Sequence, residues 1–337
     1  MIKILIINRM AISNKSKCFL FQENTHRTTI YPIMYSDIWD MYIKQRKNFW
    51  EPEEIDFSKD RLHWGKLSDD EKYFIKNILA FFAGSDGIVN LNLNLNFINE
   101  IYTEEARFVY RFQSMMEDIH AETYSMMIDT YINDKNEKEK LFNAIETIPC
   151  VKKKADWALK WINDTTTPYQ LRLIAFAIVE GVFFQGSFCA IYWLREKGIM
   201  PGLVQANEAI SRDENAHTMF AALLYSYFLP NERIDEIIIH NIFKEALAIE
   251  KEFITESLPC KLIGMNSDLM CQYLELVVDN LLQLLGYNKI YNTSCPFPFM
   301  EKLNIDGKTN FFEKRSTEYR KSSNQNTIDY TSITDEF

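Results

Sequence analysis

The sequence predicts an all-α protein, a bundle of long helices, on three observations. Turn-forming residues are scarce in the 337-residue chain (Gly 10, Pro 9) while Phe (24), Tyr (17) and Met (13) are plentiful, which suits long, bulky-cored elements better than many short strands. Apolar residues recur at helical spacing in long stretches bounded by capping signals. Two Glu-x-x-His pairs, Glu117/His120 and Glu214/His217, fall inside such stretches, where the spacing puts both side chains on one helix face.

The first thirty residues carry no helical period and end at Tyr31-Pro32, so residues 1–30 read as an extended or poorly ordered lead-in. Ser36 is the expected N-cap of a helix to about Trp50. Ser68 with Glu71 forms a capping box ahead of a helix from Asp69 past Asp86. Within it, "NLNLNLNF" (Asn90 to Phe97) alternates with period two as a strand would. It is assigned to helix because it continues a capped helix and lacks β-branched residues. Thr103 caps the next helix, through Tyr131, and shorter helices follow near Leu141–Ile148 and Val151–Ile162. Thr167-Pro168 supplies an N-cap and an N1 proline for a helix containing Glu180 that stops at Gly198. Three more are expected: Pro201 to Phe228, Asp235 to Ser257, and Asp268 to Gly286. The helical domain thus spans 31–310, and residues 311–337 turn polar, the composition of a mobile C-terminal tail.

A net charge of −10 argues against nucleic-acid or anionic-membrane binding, both of which need clustered Lys and Arg. Cys18, Cys150, Cys189, Cys260, Cys271 and Cys295 are scattered without a C-x-x-C, as buried thiols of a reducing compartment are. The apolar stretch Met1 to Ile7 is too short for a secretory leader, and no run approaches transmembrane length, so a cytoplasmic protein is expected.

Glu180 lies in "IAFAIVEGVFFQGSFCAIYWL" and Asp86 in "ILAFFAGSDGIVN". A lone carboxylate in an apolar helix costs several kcal/mol unless a cation neutralises it. No basic residue is near either in sequence, whereas a helix-helix salt bridge is the bland alternative. Asp86, Glu117, His120, Glu180, Glu214 and His217 together give four carboxylates and two imidazoles from four helices. That is the ligand set of a ferritin-like di-metal carboxylate bundle, and four negative charges balance two divalent cations. A third pair, Glu23/His26, lies in the non-helical lead-in and is taken as coincidence. Tyr124, four residues past His120, shares that helix face; core packing and a place beside the metals are about equally compatible with its position.

Three stretches, "FQSMMEDIHAETYSMMIDTYI", "VEGVFFQGSFCAIYWLREKGIMPGL" and "ISRDENAHTMFA", resemble the small, radical-generating subunit of class I ribonucleotide reductase of the eukaryotic type. The likeness runs from about Ile30 to Phe337. It implies a ferritin-like bundle with flanking helices and two iron ions, manganese being the alternative, that react with oxygen and oxidise Tyr124 to a stable radical. It also implies a homodimer acting with a large subunit that receives the radical and reduces nucleoside diphosphates. Carried over by position, Trp50 in "KNFWEPEEIDFSKD" matches the transfer tryptophan, Asp213 the aspartate linking it to His120, and Tyr319 in "NFFEKRSTEYRK" the tail tyrosine. Phe184, Phe188 and Ile210 match the apolar pocket around the radical. The acidic, apolar end "TSITDEF", closing on Phe337, reads as a peptide that docks on the large subunit. The family usually has a glutamate where Leu91 stands, which touches helix packing beside Asp86 rather than a ligand. Competing readings are another di-metal oxidase on the same bundle and a non-catalytic metal-binding paralogue. Trp50, Asp213 and Tyr319 speak against the paralogue, and Tyr124 and the tail against the other oxidase.

Overall fold

The computed structural model describes residues 18–22, 27, 29–164, 166–257 and 259–300. Glu23, His26, Tyr319, Phe337 and the rest of the tail lie outside the described residues. In chain order the helices are α1 (Ser36–Lys47), α2 (Ser58–Trp64), α3 (Asp69–Asn92), α4 (Glu104–Tyr131), α5 (Lys135–Phe142), α6 (Ala144–Thr147) and α7 (Pro149–Asn163). They continue with α8 (Tyr169–Ile178), α9 (Gln185–Glu196), α10 (Pro201–Ser226), α11 (Glu236–Glu252) and α12 (Ser267–Leu284). No β-strand occurs among the described residues. The architecture is an all-α, ferritin-like bundle in which α3, α4, α8 with α9, and α10 enclose the core while α1, α7, α11 and α12 flank it.

Local chemistry accounts for the start of the helix that carries Asp86. The Ser68 hydroxyl accepts from the Glu71 N–H (3.2 Å) and the Glu71 carboxylate accepts from the Ser68 N–H (2.9 Å), the capping box read in the sequence. Other caps fall differently. Ser36 is the first helical residue, behind Tyr35. Pro168 itself takes the N-cap place of α8, and Thr167 instead hydrogen-bonds Asp164 in the preceding turn.

The "NLNLNLNF" stretch is helical, ending α3 and passing into a widened π turn, Leu93–Phe97. The 100° step of a helix puts residues two apart on nearly opposite faces, so the alternation does not build a single apolar face here. Leu93 and Phe97 are accordingly buried while Leu91 and Leu95 face outward. The asparagines are laced together: Asn94 donates to Asn90 (2.6 Å), and Asn90 to Asp118 of α4 (2.6 Å). Leu91 therefore leaves the helix intact.

Part of the lead-in packs as structure rather than as a loose end. Leu20 and Phe21 are buried in a short 3-10 turn, and the Leu20 carbonyl accepts from the Tyr102 N–H at 2.8 Å. Two helical runs, Asp69–Glu100 and Tyr169–Glu196, are long and apolar enough to cross a membrane, which corrects the expectation that no run reaches that length. Their apolarity has a local cause: the most apolar window of the second run is 100% buried inside the bundle, where every face meets another helix.

Candidate metal centre

Helices α3, α4 and α10, with the segment joining α8 to α9, deliver all six expected side chains to one place in the core. Each is at most 2% exposed. Glu180 sits in a second π turn, Val179–Phe183, between α8 and α9; such widened turns recur at functional sites because they re-aim a side chain without breaking the helix. The ligand atoms form two groups, Asp86/Glu117/His120 and Glu117/Glu180/Glu214/His217, within each of which they lie no more than 4.8 Å apart.

Glu117 and Glu214 each face both imidazoles. Glu117 sets one oxygen 3.4 Å from His120 Nδ1 and the other 3.1 Å from His217 Nδ1. Glu214 does the same, at 3.1 and 3.3 Å. Those two carboxylates would be within reach of ions held beside either imidazole, with Asp86 on the His120 side and Glu180, 3.3 Å from His217 Nδ1, on the other.

The electrostatics fit cations. Both Asp86 oxygens, both Glu117 oxygens, Glu180 Oε2, Glu214 Oε1 and His120 Nδ1 are buried with no hydrogen-bond partner, a cost that persists only where something else binds them. Burial, and then the neighbouring carboxylates, push Asp86 and Glu180 well above the usual carboxylate range. Burial also pushes Glu117 up, but His217 and His120 outweigh it and hold that carboxyl at about 2.

The family model for the small chain of ribonucleotide reductase matches residues 27–296. The chain belongs to that family. It is 55% identical over 302 residues to the zebrafish (Danio rerio) ribonucleoside-diphosphate reductase subunit M2, covering 90% of this chain and 78% of that one. It is 56% identical over 300 residues to the vaccinia virus (strain Western Reserve) small chain, covering 88% and 92%. The Saccharomyces cerevisiae Rnr4 homodimer structure superposes with a TM-score of 0.79 at 39% identity, over 89% of this chain and 96% of that one. The Clostridium botulinum R2 subunit shares the fold, at a TM-score of 0.75, 22% identity and coverage of 86% and 92%. This protein is thus a ribonucleotide reductase small subunit, generating a radical through a di-metal site for transfer to a separate large subunit.

In this small chain Tyr124 is 2% exposed and its hydroxyl has no partner. Burial, then the charges of Asp86 and Glu214, keep the phenol protonated far above its usual range. Its ring stacks on Phe82 at 4.7 Å and 5°. Phe82 in turn meets Phe184 (5.6 Å) and Phe188 (5.0 Å). Ile210 is buried one turn before Glu214 on α10. Sequence reasoning missed Phe82, although its place four residues before Asp86, on the same helix face, is a signal that was there.

On the other side of His120, Asp213 Oδ2 faces His120 Nε2 at 3.3 Å and accepts from the Trp50 indole N–H at 2.7 Å. The Trp50 and His120 rings lie nearly parallel, 6.0 Å apart. Burial alone would push Asp213 up, yet His120 and Arg212 outweigh it and hold the carboxyl low, so it stays charged. Gln113 also escaped the sequence reading: buried on α4, it donates to Glu180 Oε1 at 2.9 Å. It lies one helical turn before Glu117, the one hint the sequence offered.

Proposed function

We propose that this small subunit makes its radical on Tyr124, with two iron ions held by Asp86, Glu117, His120, Glu180, Glu214 and His217, manganese being the alternative metal. The observation that carries the reading is the cluster of buried carboxylates and imidazoles that face one another while most of their ligand atoms lack a hydrogen-bond partner, beside a sealed phenol that also lacks one. Iron fits a donor set of oxygens and imidazole nitrogens with room for further ligands. When bound, such a pair supplies oxygen activation and the one-electron oxidising power for tyrosine.

The remaining steps belong to the chain's own residues. Phe82, Phe184 and Phe188 exclude water and reductants from the Tyr124 ring, which favours a long-lived radical. Asp213 holds His120 by its second nitrogen, so that Nδ1 points into the cluster. The line Trp50–Asp213–His120 is the proposed exit route, continued by Tyr319. The segment ending at Phe337 is the proposed docking peptide for the large subunit. A homodimer is proposed from the yeast relative solved as one. A cytoplasmic location accords with the absence of any disulfide among the described residues.

Reconstitution with ferrous iron and oxygen, followed by EPR and visible spectroscopy, tests the reading. The parent is expected to give a tyrosyl signal that Tyr124→Phe lacks. No signal in the parent, or the same signal in the variant, removes Tyr124 from the role.

A further inference from the structure

Lys154 on α7 and Glu250 on α11 form an ion pair at 2.6 Å, with side chains 1% and 0% exposed, that nothing described so far uses. The Lys154 ammonium also donates to the Phe183 carbonyl at 2.6 Å. It lies 3.7 Å from the centre of the Phe81 ring and 4.0 Å from that of Phe253. Glu250 reaches the same segment from another side: a Cβ at Gly186 would meet Glu250 Oε1 at 2.6 Å, so the carboxylate rests against the Gly186 backbone. The pair therefore grips residues 183–186, where the π turn holding Glu180 gives way to α9.

Stability does not explain this arrangement, because a buried ion pair is often no better than well-packed apolar side chains of similar volume. Geometry does. A π turn displaces carbonyls from their regular helical partners, and a buried carbonyl needs a donor. The ammonium supplies one at the C-terminal end of the turn. Glu180, itself 0% exposed, lies three residues earlier, so any slip of the turn moves its carboxylate.

We propose that Lys154 and Glu250 are positioning residues for the metal centre, holding the widened turn and thereby setting where the Glu180 carboxylate stands. The inference rests on the reading of Glu180 as a metal ligand.

Equilibrium titration of the full chain with manganese(II), with low-temperature EPR of the loaded protein, tests it. Parent, Lys154→Met/Glu250→Leu and Lys154→Arg are compared, with circular dichroism and thermal unfolding as folding controls. The parent is expected to take up two ions per chain. The double variant is expected to keep its helix content while its weaker site loses roughly 10- to 100-fold in affinity and the spin-coupled spectrum changes. Lys154→Arg, which keeps the charge and a donor, restores both. Should the double variant not fold, Glu250→Gln is judged by the same two readouts. Unchanged affinity and spectrum in the folded variant, whatever its melting temperature, overturn the positioning role. A parent that binds no ion pair overturns the reading of the centre itself, and the inference with it.

Discussion

His120 shows how much one side chain's chemistry depends on its neighbours. Burial alone would pull its imidazole pKa down, but Asp213, Glu117 and Glu214 surround it and raise it well above its ordinary value. His217 is raised likewise by Glu180 and Glu117 against burial. Asp86 and Glu180 also hold protons above the usual carboxylate range. The metal-free centre is thus a store of protons that entering cations must displace. Metal affinity is therefore expected to rise with pH, and binding to release more than one proton per chain. Titrations in weak buffer at about pH 6 and pH 8 measure both quantities, and an affinity independent of pH contradicts the account.

At the scale of elements, the start of α10 matters because that helix carries Asp213, Glu214 and His217. Its first turn is anchored by Asp60 of α2, whose carboxylate accepts from the Gly202 N–H (2.8 Å), the Leu203 N–H (2.7 Å) and the Tyr131 hydroxyl (2.6 Å). Gly202 is required for the close approach: a Cβ there would meet the Asp56 carbonyl at 2.7 Å. Sequence gave no sign of this anchor, since residues 60 and 202 are joined only by packing. Asp60→Ala orphans two buried N–H groups and a hydroxyl, and is expected to cost about 2–4 kcal/mol of folding stability. Denaturant unfolding of the metal-free protein measures it, and a loss under about 1 kcal/mol would remove Asp60 from this role. The π turns are a second feature decided by packing. At Leu93–Phe97 the widened turn ends a run whose alternation imitates a strand, and at Val179–Phe183 it lies in a helix whose apolar pattern shows no break.

For the whole molecule, the centre is closed on all sides by helices while the proposed route out begins at Trp50, itself 5% exposed. Making the radical and delivering it are then separable properties. Removing the last seven residues, "TSITDEF", is expected to leave the tyrosyl EPR signal intact and abolish reductase activity with the large subunit. The two assays on one preparation check it, and retained activity sinks the docking role.

Helical periodicity and uncompensated acids in apolar helices are local signals, and they made the helices and the six carboxylates and imidazoles legible in the sequence, whereas Tyr124 was singled out only by the family resemblance. The family followed from the wording around those residues. Tertiary structure alone decided that Glu117 and Glu214 face both imidazoles, that Phe82 stacks on Tyr124, and that Asp60 and the Lys154–Glu250 pair brace the segments bearing the ligands. These are contacts between residues up to 143 positions apart. Their strength lies in distance, direction and the exclusion of water, which exist only once the helices have packed.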